Sequence, residues 1–252
     1  NGAVLDLTGD TSAWDKESVE ASGITNRGNL TVRAWGPDTA TAEKGNSDTI
    51  TKLDQATTFI VKGKSTIKAD TIDVTGNSYK DKYTARAKLK VSESSTVTAN
   101  TMNVGRYGYT YFKDSQLTVN GKLSVTGSAG GLTNPNPVGV EMHGGSATLN
   151  EVNVKNNGYI DLDQVNITAK QLAMDSSCAA IKGGSFKADA LTVNGTDYEA
   201  DKGDAQVLAT NSKIELNNAT FTKYGHADVK DSQFTVNGTL KLTSDEAIPD
   251  KG

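Results

Sequence analysis

His143 and Glu141 are the pair in this 252-residue sequence closest to acid–base chemistry. Imidazole titrates near neutrality, and a carboxylate beside it can trade protons with it. Two residues apart on a strand, the two side chains face the same side. The sequence identifies no third group to complete them, so no catalytic residue is assigned. Asp197, Glu199, Asp201 and Asp204 put carboxylates within a short stretch, a composition that suits calcium. The spacing of an EF-hand loop and the glycine-rich nonapeptide of calcium-binding β-rolls are both missing, and Lys202 sits inside the group. A solvated acidic loop is expected there, with no metal and no cofactor. Cys178 is the sole cysteine, which excludes a disulfide framework and a cysteine-based zinc site. Next to Ala179, Ala180 and Ile181 it reads as a small buried hydrophobe.

Tyrosines form the other group with binding chemistry. Tyr107, Tyr109 and Tyr111 alternate, which on an extended segment places them on one side. Exposed tyrosines offer a flat apolar ring and a hydrogen-bonding tip, suited to sugars or protein partners. Tyr79, Tyr83 and Tyr198 lie in polar stretches read as loops, Asn77–Arg86 and Gly195–Asp204. These six residues are the candidate ligand-binding set. The competing expectation is that Tyr109 and Tyr111 cover the core at a bend.

The elements that must carry these residues are read from repetition. Ser65–Gly76 (STIKADTIDVTG) returns as Ser95–Gly105 (STVTANTMNVG), 30 residues later. Asp114–Gly127 (DSQLTVNGKLSVTG) returns as Asp231–Ser244 (DSQFTVNGTLKLTS), with nine of fourteen positions identical. The unit is two apolar residues in alternation, a few polar ones, then a second alternating pair. Ile67/Ala69 with Ile72/Val74 is one example, and Ile160/Leu162 with Val165/Ile167 is another. Alternation of period two predicts short strands with one buried face. Asn, Asp, Gly and Thr between the pairs suit bends, and Val-Asn-Gly occurs at Val119–Gly121, Val193–Gly195 and Val236–Gly238. A third strand precedes many pairs, with Ala87/Leu89, Tyr109/Tyr111, Val138/Val140 and Ala179/Ile181 as its apolar residues.

An antiparallel sandwich would also give short alternating strands, but it does not require near-identical sequence to return several strands later. A parallel β-helix does, because every coil meets the same surroundings. The expectation is an all-β solenoid of eight or nine coils over residues 1–252, about three short strands per coil, with 1–54 less regular. Ile24–Val32 resembles a strand pair and Ala34–Asp48 a loop excursion. Gly127–Gly139, with two of the four prolines, reads as a further excursion.

Gly28–Val32 (GNLTV), Val119–Val125 (VNGKLSV) and Val236–Leu242 (VNGTLKL) resemble the passenger domains of Gram-negative autotransporters of the adhesin and pertactin-like group. The resemblance covers residues 20–244 and rests on composition and period. It implies a right-handed parallel β-helix, secreted or displayed at the cell surface by a separate translocator barrel. Members of that group mostly adhere to host cells, matrix or each other and a minority are enzymes, so the expectation is non-catalytic attachment to a host glycan or matrix protein, or to an identical chain. The chain opens without a basic segment followed by an apolar one, which fits either a trimmed passenger from a longer protein or a chain lacking a signal.

A net charge of −4 argues against a nucleic-acid partner, and no apolar run is long enough for a membrane helix. Among enzymes, the segments of polygalacturonase-like β-helices reduce here to an isolated His143–Gly144, the nucleophile elbow is missing, and the arginines Arg27, Arg33, Arg86 and Arg106 are scattered. A polysaccharide-degrading enzyme and a pure spacer stand as the alternatives. An ice-binding face would need a Thr-x-Thr ladder, and Thr96–Thr98 is not kept by the other repeats.

Overall fold

The computed structural model describes the backbone of residues 4–8, 18–21, 29–33, 56–79, 83–105, 107–127, 138–195 and 205–243, and the side chains of 59–76, 87–105, 107–127, 138–195 and 205–243. The described residues form strands and turns, with no helix. Strands are β1 (Val4–Thr8), β2 (Ser18–Ala21), β3 (Asn29–Arg33), β4 (Ala56–Val61), β5 (Thr66–Thr75), β6 (Asn77–Tyr79) and β7 (Tyr83–Val91). They continue as β8 (Thr96–Gly105), β9 (Gly108–Thr126), β10 (Gly139–Lys155), β11 (Tyr159–Asp163), β12 (Asn166–Asp175) and β13 (Cys178–Lys182). The last are β14 (Ser185–Asn194), β15 (Gln206–Thr210), β16 (Lys213–Thr222), β17 (His226–Lys230), β18 (Gln233–Val236) and β19 (Leu240–Thr243).

Apart from the β6–β7 hairpin, every pairing is parallel, and the strands stack in three columns. Column one runs β2, β4, β7, the starts of β9 and β10, then β11, β13, β15 and β17. Column two takes the first halves of the long strands, from Ile67 through Val97, Leu117, Ala147, Ile167, Phe186 and Ile214 to Phe234. Column three takes their second halves, from β1 and β3 to β19. The chain thus wraps round an axis, visiting the columns in the same order in each layer, and parallel pairing satisfies the backbone between layers.

Burial follows the alternation. Ile67, Ile72 and Val74 are 0–1% exposed, and one core runs from Phe59 to Phe221. Each fully buried aliphatic side chain contributes roughly 1.5–3 kcal/mol. Layers with no long insertion repeat in steps of 19 to 21 residues, as at Asn166–Ser185, Ser212–Ser232 and Ala87–Gly108. Others take 28 or 30, as at Asn194–Thr222 and Asp70–Asn100. The long additions fall in 76–86, 127–138 and 195–204, where the chain leaves column three for column one. Single residues are also added between columns two and three, where Ala99 opposite Val119 gives way to Thr101 opposite Lys122, and between columns one and two, where Val91 opposite Phe112 gives way to Thr96 opposite Gln116.

The corners show what the repeat left unread. Between columns one and two each layer holds left-handed residues: Gly63 and Lys64, Glu93 and Ser94, Asp114, Gly144 and Gly145, Gln164, Gly183, Asn211 and Asp231. In several layers a buried serine follows. Ser115 Oγ donates to Lys113 O at 2.7 Å, and Ser212 Oγ donates to Thr210 O at 2.7 Å. These hydroxyls satisfy carbonyls that the turn takes out of the strand ladder. Between columns two and three the chain bends without a positive φ, and Asn100 Nδ2 donates to Asp70 Oδ1 at 3.3 Å.

Several expectations are corrected. In the column-one part of β9 the buried residues are Gly108, Thr110 and Phe112, so Tyr109 and Tyr111 point outward, one residue out of the frame expected of a strand whose apolar side they form. Ile160/Leu162 and Ile167 belong to different columns; Ile167/Ala169 is continued by Leu172/Met174. Val119–Gly121 and Val236–Gly238 bend between columns two and three, whereas Val193–Gly195 ends column three. Asn77–Arg86 includes the antiparallel β6–β7 pairing, with Tyr79 opposite Tyr83, and is not simply a loop. Ala34–Asp48 lies outside the described residues.

Candidate functional site

The registers of column one assemble a cluster that no single strand contains. Tyr109, Gly139 and Tyr159 lie side by side on β9, β10 and β11. Tyr111, Glu141 and Asp161 form the next row, and Lys113, His143 and Asp163 the third. All alternate with buried neighbours, so the strand pleat turns them outward.

Glu141 is the hub. Its Oε2 accepts from the Tyr109 hydroxyl at 2.5 Å, and its Oε1 lies 2.6 Å from His143 Nε2. His143 Nδ1 lies 3.4 Å from Asp163 Oδ2, so the imidazole sits between two carboxylates. Asp161 pairs with Lys182 Nζ at 3.2 Å. Tyr111 leans on both sides of the row: its ring centroid is 5.5 Å from that of His143 and 6.5 Å from that of Tyr109, the tyrosines stacked at 21°. Gly139 is required by Tyr159, because a Cβ at position 139 would fall 2.3 Å from a Tyr159 ring carbon.

Protonation follows from these contacts. Burial and the hydrogen bond to Glu141 hold the Tyr109 phenol protonated well above its usual range. Burial alone would raise the Glu141 carboxyl, but the hydrogen bonds from Tyr109 and His143 outweigh it and the net direction is down. The hydrogen bond to Glu141 raises His143 against the opposing effect of burial, with Asp163 adding to the rise. The cluster therefore favours the ionised form of Glu141 and the protonated form of His143, each more than in an isolated side chain.

The candidate tyrosines divide. Tyr109 and Tyr111 belong to the cluster. Tyr107 is in a left-handed turn with φ 56° ahead of β9, so the extended segment does not include it. The backbones of Tyr79 and Tyr83 pair in the hairpin, their side chains lying outside the described residues, as does Tyr198. Asp197, Glu199, Asp201 and Asp204 also lie outside them. Among the described residues no group of three or more His, Cys, Asp and Glu side chains could hold a metal ion. Cys178 is buried, and burial raises its thiol; Gln206 Nε2 donates to its Sγ at 3.8 Å. The Gly144–Gly145 pair after His143 makes the corner, both residues having positive φ.

Sequence reading placed Glu141 and His143 on one side but missed Asp163, Tyr159 and Lys182. The signal was in the offsets: once Tyr109, Gly139 and Tyr159 are aligned by register, the rows read off directly. A separate polar recess of about 310 Å³ on column two is lined by Asn166, Thr168, Ser185, Lys187, Lys213 and Glu215, with Lys213 and Glu215 paired at 2.6 Å. Compared with protein-family models, curated proteins and solved structures, the chain gives no match in any of the three.

Proposed function

We propose that the chain is part of a right-handed parallel β-helix of the autotransporter-passenger kind. In this reading it is secreted or held at the surface of a Gram-negative bacterium, and it attaches without catalysis to a host glycan, a matrix protein or an identical chain. The observation that carries this reading is the outward cluster of Tyr109, Glu141 and His143, which spans three adjacent rows, with the Tyr111 ring against it. Two stacked phenol rings bordered by carboxylates match a pyranose, which offers an apolar face and a rim of hydroxyls. The parallel three-column stacking supports the solenoid, since each layer presents outward rows that neighbouring layers extend.

The polysaccharide-degrading alternative has less support. Glycoside hydrolysis needs a carboxyl held protonated to serve as acid, whereas Glu141 is shifted the other way and both its oxygens are engaged. The test is binding of the purified chain to a glycan array and to immobilised matrix proteins, beside Tyr109→Ala and Tyr111→Ala. Saturable binding that weakens at least tenfold in both variants supports the reading. New reducing ends or unsaturated products would transfer it to the enzyme class. No binding to glycan, matrix or itself would leave a spacer.

A further inference from the structure

We propose that the polar recess on the outward face of column two binds an acidic sugar, whose carboxylate or sulfate is held by Lys187 and Lys213. This goes beyond the attachment reading, since it needs neither the tyrosine cluster nor a cell-surface setting. The recess measures about 310 Å³, at the small end of the roughly 300–1,000 Å³ usual for ligand pockets, and has room for a sugar unit. Register builds it from three stacked strands. Asn166, Ser185 and Lys213 form one row across β12, β14 and β16, and Thr168, Lys187 and Glu215 form the next. The two rows flank the buried Ile167, Phe186 and Ile214, so the pleat turns all six side chains outward.

What the protein leaves unused in this recess is mostly hydrogen-bond donors. Lys213 Nζ lies 2.6 Å from Glu215 Oε1, so the one acid of the recess is engaged. Ser185 Oγ donates to Asn166 Oδ1 at 2.7 Å, and the Asn166 amide hydrogens have no acceptor among the described residues. Lys187 and Thr168 make no side-chain hydrogen bond or salt bridge among the described residues either. At the rim the bend adds Lys170 on β12 and Asp189 on β14, and Asp189 Oδ1 accepts from Asn217 Nδ2 at 2.9 Å. Recess and rim therefore set three lysines against two acids, and both acids already have a partner. Surplus positive charge beside spare amide and hydroxyl donors selects an anion carried on a polar ligand. Column one offers the reverse, because Glu141, Asp161 and Asp163 would repel the same group.

The face beside the recess lengthens the site. Thr168 is continued through the layers by Thr148, Thr118 and Thr98, and Asn166 by Ser146, Gln116 and Thr96. These two rows carry no charge on four successive layers, a span of roughly 14 Å at about 4.8 Å per layer. A sugar chain anchored by its acid group at Lys187 then runs on over neutral hydroxyls and amides.

Calorimetric titration of the whole chain with three sugar chains of matched length tests this, with circular dichroism checking that each variant is folded. The chains are an oligogalacturonate, a dextran sulfate oligomer and neutral dextran. At least one acidic chain should bind, about tenfold or more tighter than neutral dextran, and less tightly as sodium chloride is raised. The ratio of the two acidic affinities tells a carboxylate ligand from a sulfate one. Lys187→Gln should weaken that binding about tenfold or more, as loss of one charge-assisted hydrogen bond does, and Lys187→Glu should weaken it further. Lys230→Glu makes the same change of charge on β17 of column one and should leave binding nearly unchanged, as should Tyr109→Ala/Tyr111→Ala. Equal binding of neutral dextran, equal weakening by Lys230→Glu, or binding of neither acidic chain would overturn the proposal. Binding lost in the tyrosine variant but kept in Lys187→Gln would overturn it too, and would leave the attachment reading standing.

Discussion

Glu141 and His143 stabilise one another over a pH range that their shifts define. The His143 pKa is raised in the folded chain, so its contribution is complete below the ordinary imidazole value and is lost as pH rises through the raised one. The Glu141 pKa is lowered, so its contribution is present above the ordinary carboxylate value and is lost as pH falls through the lowered one. The pair is strongest between the ordinary carboxylate and the ordinary imidazole values, and its His143 share falls away as pH rises through the raised value. An NMR titration should therefore place the His143 midpoint above 6.5, and Glu141→Gln should move it down. A wild-type midpoint at or below 6.5 would show that the two side chains do not meet in solution. That they share a face was legible in the sequence from their spacing alone. That Tyr109 and Asp163 complete them was not, because both contacts join different strands, 30 residues apart in one register and 20 in the other, and no single spacing finds both.

At the scale of elements, the corners set the register, and their cost depends on what stands beside them. Gly63 and Gly145 both have positive φ. A Cβ at position 63 meets nothing within 4 Å, whereas one at 145 would lie 2.1 Å from the Ser115 carbonyl oxygen. Gly63→Ala should cost about 1 kcal/mol, the left-handed penalty by itself. Gly145→Ala should cost about 3 kcal/mol or more, since β9 and β10 must also part. Urea denaturation of the two variants measures the difference, and equal midpoints would mean that the corner yields freely. The strands themselves were legible because period two survives in almost every layer. The one-residue error at Tyr109–Phe112 arose because two aromatic residues outweighed a small Thr110 in judging which side was apolar, yet Thr110 and Phe112 are both fully buried. The left-handed corner went unread because Lys, Glu, Asp, Gln and Asn hold it as well as Gly, leaving no single residue type to find.

Over the whole molecule, the internal repeat supplies its own control. Leu123 and Leu240 occupy matching places in the near-identical segments Asp114–Gly127 and Asp231–Ser244. Leu123 is 1% exposed beneath the β10 layer, while Leu240 is 55% exposed on β19. Leu123→Ala should cost about 2–5 kcal/mol, and Leu240→Ala under about 1 kcal/mol. Equal losses in thermal or urea unfolding would show that something covers β19 in solution. Position in the stack, more than local sequence, thus decides what a residue contributes. The same holds for change over generations. Because the long additions among the described layers enter between columns three and one, a gene can lengthen there without shifting the frame of any strand. The other two boundaries vary by a single residue while the third drifts by about ten. That corner is the natural place for lineages to diverge, and for a foreign peptide to be grafted onto the layers beneath.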